Sequence, residues 1–561
     1  MKWIVKNNRV IIPSEELNIH PAVYTLLHSR GLKDEEIVEF LNPDYKKLYS
    51  PFLFQDMEKI LEKIMYSIKK GERILIYGDY DVDGTTSVAL LYSLFKRLRA
   101  KVDYYIPHRL KEGYGLSKEG IDYAISNSVK LIITVDCGIS ALGEIEYAKK
   151  NGIDVIVTDH HEPGSTIPSA FAILDPKLDT NYPFRELAGV GVAFKLALAL
   201  SHINNLPVEK LKWDLDLVAL GTIADVVPLY GENRILSHFG LKVLNRMRRP
   251  GLRALAKVAG VTQPFTSYHV GFIFGPRINA IGRLRQAKEV VTFLTSYDEN
   301  EVKQIAEKLH TLNEERKKIE KDILLEALET ADKIDKSKYW GLVLSSEGWH
   351  EGVIGIVASR VVEKYNRPTI IISFDEEIGK GSGRSIPEFH LYEGLKECAE
   401  FLVEFGGHRE AAGLIIKKEN LDKFTEKFND VVKFHIKEED IEKKFYIDLE
   451  IDFDIINKNL VEGMRKLMPF GPSNTKPVFI VRNVEVVGYP DNFSGEHIKF
   501  KIRKGKKHIQ VIGFNSVKSL EVLKNRPTID LVFYPEIDKF RNDLMLRMLN
   551  FKIGGENVEE N

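Results

Sequence analysis

Four short, β-branched apolar runs recur between residues 73 and 158: RILIY (73–77), VDYYI (102–106), LIITV (131–135) and DVIVT (154–158). Apolar runs of this length without polar alternation predict strands buried on both faces. Between them, 84–99, 117–127 and 139–151 carry apolar residues at helical spacing. Strand and helix alternating at such short intervals predict a doubly wound parallel sheet of the α/β class. Residues 1–70 read as a small, mostly helical lead-in, with periodic segments at 20–41 and 56–69, and 185–295 as mainly helical. Residues 298–335 lack Gly and Pro and are rich in i,i+4 charge pairs. They predict one connecting helix of roughly 50 Å. WGLVLSS (340–346), a helical stretch near 352–365 and PTIIIS (368–373) announce a second α/β domain. After it the pattern alternates, with turns expected at Gly488, Gly505 and Gly513, which predicts an all-β module. The expected divisions are 1–70, 71–297, 298–335, 336–440 and 441–561.

Composition narrows the setting. The chain has 561 residues, 44% hydrophobic and 29% charged, which fits several globular domains and excludes a disordered chain. No apolar stretch approaches the roughly 18 to 20 residues that cross a bilayer. The start, MKWIVKNNRVIIPSEE, interrupts its apolar patch with charge and an Asn pair, unlike a signal peptide. Only Cys137 and Cys398 are present, too few for a disulfide framework or a thiolate zinc site. The cytoplasm is the expected compartment, with no membrane partner. Net charge is −1, so a nucleic-acid surface would have to be local.

Candidate chemistry gathers after the strands. Asp79, Asp81 and Asp83 alternate in YGDYDVDG after the first run, Asp136 follows the third, and Asp159-His160-His161 follows the fourth. In an open parallel sheet these loops converge on one edge. A lone D-x-D-x-D-G could be a calcium loop or a polar turn, and a lone His pair is more often structural. Three such motifs at three strand ends are different. Five carboxylates and two imidazoles in one crevice repel unless metal ions neutralise them. Oxygen ligands with imidazole suit two Mn²⁺ or Mg²⁺ ions, the histidine favouring Mn²⁺.

YGDYDVDGTTS, TVDCG and TDHHEP resemble the signature motifs of the DHH phosphoesterase superfamily, and GTIADVVPL (221–229) resembles its fourth. The lead-in, PHRLKEGYGLS (107–117), GPRINAIGRL (275–284) and the terminal β module resemble its single-stranded-DNA exonuclease branch, so the resemblance covers nearly the whole chain. It implies a DHH domain, the connecting helix, a DHH-associated domain and a C-terminal β-barrel OB-fold. By carry-over, Asp81, Asp83, Asp136, His160 and Asp225 are the metal ligands, with Asp136 bridging and Asp79 completing the first site. Asp136, His160, His161 and Asp225 form the implied catalytic set, with His161 at the scissile phosphate or a metal-held water. Tyr77 departs from superfamily members with other substrates, which carry a histidine ligand there.

In the second α/β domain, GSGRS (381–385) and FGGH (405–408) resemble the DHH-associated domain. Small residues there are expected to expose backbone N–H groups, and Arg384 offers a bidentate fork to phosphate. Ser382, Arg384 and Arg109 are expected to hold a terminal 5′-phosphate, with His408 on the facing wall. Arg277, Arg283 and Arg285, with Arg246, Arg248, Arg249 and Arg253, are candidates to track a DNA backbone, though surface arginines are commonly just solvated. In the β module, KIRKGKK (501–507) lies among Phe493, Phe500, Phe514, Phe533 and Tyr534, some of them core and one or two stacking on bases. The implied function is 5′–3′ hydrolysis of single-stranded DNA in repair and recombination, with a helicase and a single-strand-binding protein as possible partners. The alternatives are a phosphodiesterase of short oligoribonucleotides or cyclic dinucleotides, and a non-catalytic replication-fork scaffold. An inorganic pyrophosphatase would not need the OB-fold.

Overall fold

The predicted strands lie side by side in the computed structural model, which describes residues 2–284, 287–538 and 541–554. Strands β1 (Arg73–Gly78), β2 (Lys101–Tyr105), β3 (Val129–Val135), β4 (Asp154–Thr158) and a short β5 (Ala172–Leu174) form a wholly parallel sheet in the order β2-β1-β3-β4-β5. Alternate side chains supply two cores. Ile74 and Ile76 face the helices Met57–Lys70, Val82–Arg97 and Gly189–Ile203, while Leu75 and Tyr77 face Lys118–Ser126 and Leu142–Lys150. Burial on both faces is what the unbroken apolar runs required.

Register sets up the site. Gly78 pairs with Val135, Val135 with Thr158, and Thr158 with Leu174, so four strands end level. The next residue in each is an aspartate: Asp79, Asp136, Asp159 and Asp175. β1 and β3 flank the point where strand order reverses, the usual place for a ligand crevice in an open sheet.

The connecting helix is Glu299–Lys333, with Asp298 accepting at its N-terminus from the N–H groups of Asn300 and Glu301. The second sheet, with β6 (Leu342–Glu347), β7 (Thr369–Asp375), β8 (Ile378–Arg384), β9 (Leu402–Gly407) and β10 (Ala411–Lys417), runs β9-β10-β8-β7-β6; only β6 and β7 are parallel.

All of this belongs to one unit, residues 45–442; the other joins residues 1–44 to 443–561. The expected 1–70 lead-in is therefore not one body. Strand Lys2–Val5 pairs in parallel with Lys444–Ile447, and Val23, Leu26, Leu27 and Ile37 share a core with Phe479, Phe500 and Phe533. The helix Met57–Lys70 instead packs in the first sheet's core. The β module is a closed barrel. β11 (Phe479–Phe493), β12 (His497–Lys504), β13 (Lys507–Gly513), β14 (Thr528–Ile537) and β15 (Leu544–Ile553) pair in the order β11-β12-β13-β15-β14, and β14 closes onto β11. Gly513 is not a turn; it ends β13, paired with Ile498, where a Cβ would meet Met548 at 2.6 Å. No helix among the described residues is long and apolar enough to cross a membrane.

Candidate active site

Each strand end delivers its carboxylate differently. Asp79 follows β1 directly and is buried. Asp81 caps the Val82–Arg97 helix, accepting from the Gly84 N–H at 3.0 Å. Asp83, in the first turn of that helix, points back into the protein and accepts from the N–H groups of Gly189 (2.7 Å) and Val190 (2.9 Å). Asp136 sits in the left-handed region at φ 60°, a conformation Asp tolerates better than most residues. A Cβ on Gly189 would lie 2.7 Å from the Asp136 carboxylate, so glycine is required there. Asp225 ends the Leu215–Ala224 helix, and the following Val226 is held at φ 64°, strained for a β-branched residue.

These groups converge on His160. Its Nε2 lies 3.1 Å from Asp136 Oδ1, 3.5 Å from Asp225 Oδ2 and 3.9 Å from Asp83 Oδ2. Nε2 of His160, Oδ1 of Asp136 and Oδ1 of Asp79 are buried without a hydrogen-bond partner. Buried polar atoms are seldom left so. Burial pushes Asp83 up to about 7, reinforced by Asp81, and raises Asp79, Asp136 and Asp225 well above the ordinary range. Burial also lowers His160 to about 3, leaving the neutral imidazole that can donate a lone pair. Orphaned oxygen and nitrogen atoms, deep burial and mutual repulsion fit a divalent cation site. Three groups bring ligand atoms within 4.8 Å of one another: Asp79-Asp81-Asp136, Asp83-His160-Asp225 and Asp136-His160-His161.

Asp159 plays a different part. It accepts from the Ile139 and His160 N–H groups and from His161 Nδ1 at 2.7 Å. Burial alone would raise its pKa, but the His161 hydrogen bond and charge outweigh burial and lower it; the same contact raises that of His161. Tyr114 OH lies 3.0 Å from His161 and donates to the Asp136 carbonyl at 3.1 Å. Sequence reasoning missed Tyr114. Tyr77 is core: its hydroxyl donates to the Gly115 carbonyl and accepts from the Ser117 N–H.

The acids open into a cleft of about 880 Å³ that Arg109, Arg283, Arg384 and His408 also line. Arg109 lies over the Tyr80 ring at 5.0 Å, and Arg283 donates to the Gly352 carbonyl. Burial, then the charges of Arg109 and Arg316, pull Arg283 down to about 10; burial and Arg109 also lower Arg384. Several guanidinium groups thus share one half-enclosed cleft, an arrangement whose chemistry suits an anion. Asn279, also unforeseen, accepts from the Val82 N–H at 2.9 Å and joins the acidic loop to the helix bearing Arg283.

Several expectations need correction. GSGRS does not expose backbone N–H groups: it lies in β8, paired on both sides, and its glycines make room for Leu414 and Leu391. Ser382 is not among the cleft-lining residues; its Oγ accepts from Arg384 at 3.2 Å. Arg277 is buried away from the cleft, donating to the Ile273 carbonyl and to His310. Arg249 bonds Asp214 and Asp216 rather than tracking DNA, and Arg253 bonds Glu299. Arg248 stacks on Trp213 at 4.0 Å, and Arg246 lines a separate apolar groove. Arg285 lies outside the described residues. In the barrel, Phe500 and Phe533 are core, Phe493 and Tyr534 are half-buried and Phe514 is exposed.

Comparison with known proteins adds three family matches: the DHH family N-terminal domain over residues 73–222, the DHHA1 domain over 337–433 and the RecJ OB domain over 447–549. Over 553 residues the chain is 39% identical to the single-stranded-DNA-specific exonuclease RecJ of Bacillus subtilis (strain 168), covering 97% of this chain and 69% of that one. The chain belongs to the RecJ family. The crystal structure of RecJ from Thermus thermophilus in complex with Mn²⁺ is similar at TM-score 0.83 and 27% identity, covering 98% of this chain and 79% of that one. The Mg²⁺ complex of RecJ from the same organism gives TM-score 0.77, 25% identity, and 98% and 78% coverage. A doubly wound DHH sheet, a mixed DHHA1 domain and a closed OB barrel are thus the RecJ arrangement. The Thermus thermophilus RecJ is seen with Mn²⁺ and with Mg²⁺, the two metals that the donor set here favours.

Proposed function

We propose that this protein is a metal-dependent exonuclease that shortens single-stranded DNA from its 5′ end, releasing mononucleotides. One observation carries the reading: a single cleft joins the buried carboxylates of Asp79 and Asp225, both pushed well above the ordinary range, to Arg109, Arg283 and Arg384. A phosphodiester held there by two divalent cations satisfies both. Asp79, Asp81 and Asp136 would hold one ion, Asp83, His160 and Asp225 the other, with Asp136 shared. When bound, the ions neutralise the carboxylates and supply Lewis-acid polarisation of the phosphodiester.

The chain's own residues do the rest. Asp83 keeps its carboxylate aimed through two backbone N–H bonds, and neutral His160 offers Nε2. Asp159 and Tyr114 fix His161, and the Asp159 contact favours the imidazolium form that can donate to a phosphate oxygen as negative charge develops. Arg109, Arg283 and Arg384 hold the terminal 5′-phosphate, which sets direction, and His408 lines the same cleft. The OB barrel supplies sequence-independent grip on the strand. The setting is cytoplasmic DNA repair and recombination, where a helicase or single-strand-binding protein could deliver substrate.

The test is to incubate the protein with Mn²⁺ and single or double strands labelled at either end. The 5′ end of the single strand should shorten while the duplex persists. Shortening from the 3′ end would overturn the polarity.

A further inference from the structure

Tyr268 and Phe272 stand out among the exposed side chains. They are 61% and 70% exposed, and their rings stack on each other with centroids 5.1 Å apart and planes 28° apart. An i,i+4 ring pair on a helix surface stabilises the helix only slightly, so two large apolar rings left in water call for a ligand.

Their position suggests which one. A short helix, Ser267–His269, runs through a wide π turn, Val270–Phe274, into the helix Gly275–Leu284 without a break. Such turns collect at functional sites. This one buries Val270 and Phe274 while leaving Phe272 outward. The same continuous helix carries Asn279, which holds the acidic loop, and Arg283 in the cleft. Phe272 precedes Asn279 by seven residues, about 10 Å along the axis. The helix also abuts the one that ends at Asp225: a Cβ on Gly275 would lie 3.5 Å from that of Ala224.

We propose that Tyr268 and Phe272 form a base-stacking platform for the single strand, on the continuous helix whose Asn279 and Arg283 line the cleft. Every nucleobase has a π face, so stacking holds any sequence equally, and a duplex, whose bases are already stacked, gains nothing from it. The inference rests on the proposed single-strand substrate and adds a grip on bases to one on phosphates.

The probe is an oligodeoxythymidylate carrying one 2-aminopurine at successive positions, titrated with the full chain in EDTA and turned over with Mn²⁺. With the unaltered protein, fluorescence should be quenched at one or two positions. In Tyr268→Ala/Phe272→Ala that quench should vanish, and KM should rise about ten-fold with kcat unchanged. Phe272→Trp should keep both. A strand with abasic spacers at the quenched positions should already bind weakly and lose nothing more in the double variant. Both rings are exposed, so an unshifted melting temperature would confirm folding. If quench profile and KM are the same in the double variant, the platform does not exist, and the rings serve another partner. Ring-dependent quenching without turnover of any single strand would instead sink the nuclease reading and leave the platform standing.

Discussion

Two groups of buried acids lie in the 45–442 unit. Asp214 and Asp216 accept from Arg249 at 2.7 and 2.8 Å, and Arg97 reaches Asp214 at 2.5 Å. Asp79 and Asp136 are as deeply buried, yet each keeps an oxygen without a partner, as does the nitrogen of His160. In the first group the chain supplies its own counter-charge in direct ion pairs; in the second those atoms meet no hydrogen-bond partner among the described residues. The arginines mirror this. Arg249 is spoken for by carboxylates, whereas Arg384 and Arg283 face neutral oxygens and other cations. A charge compensated inside the chain is framework. A charge left uncompensated at a cleft wall awaits something from outside.

The sharpest break in that comparison is Asp136→Asn. It keeps the shape and tolerates the φ of 60°, but removes the charge shared by the two proposed cation sites. Turnover should fall by at least about 1,000-fold while single-strand binding persists. Mn²⁺ should raise the melting temperature of the unaltered protein by binding the folded state alone, and raise it much less in the variant. Substantial residual cleavage would sink the ligand assignment.

Arg249→Ala asks the opposite question. It strands Asp216 in the interior and leaves Asp214 only Arg97, which should cost about 3–5 kcal/mol in urea unfolding. Turnover well below the unfolding transition should be little changed. A selective loss of activity with normal stability would mean that Arg249 touches substrate after all.

How much of this was legible depends on how local the cause is. The four long strands, and the aspartates that follow β1, β3 and β4, were readable because unbroken apolar runs force burial on both faces and a parallel sheet aligns its ends. β5 was not: Ala172–Leu174 is three residues, too short to show a period. The framework role of Arg249 was hidden because its partners lie 33 and 35 positions away in sequence. The glycines of β8 look like a phosphate loop in one dimension and prove to be clearances for Leu414 and Leu391 in three. Tyr114 and Asn279 lie within PHRLKEGYGLS and GPRINAIGRL, but nothing in those segments marks them as neighbours of the acids; only the fold brings them there.

Arg384→Ala tests the anion side with a smaller effect. A charge-assisted contact to a terminal phosphate is worth roughly 1.5–3 kcal/mol, about ten- to a hundred-fold in affinity. The variant should lose most of its preference for 5′-phosphorylated over 5′-hydroxyl strands, with less loss on the latter. Rates of both proteins on both substrates decide it, and an intact preference would show the pocket is elsewhere.

The barrel offers the mildest test, because its charges differ in how free they are. Arg503 is paired with Glu485, and Lys507 donates to the Phe453 and Asp454 carbonyls. Lys501 and Lys506 are exposed beside the hairpin turn at Gly505 and take part in none of the ion pairs described here. If they meet phosphates, each releases a counterion on binding. Lys501→Ala/Lys506→Ala should then lower the slope of log affinity against log salt by about 0.7 per lost contact, with turnover at saturation unchanged. Deleting the whole barrel is a blunter experiment, since removing 443–561 strips residues 1–44 of the core they share with it. A clean cut keeps 45–442 and should retain turnover at saturating strand while binding weakens and its salt dependence flattens. An unchanged salt slope in the double lysine variant would move the strand's path off this hairpin. Failure of a folded 45–442 fragment to cleave at saturation would give the barrel a part in catalysis that its distance from the buried acids in sequence does not suggest.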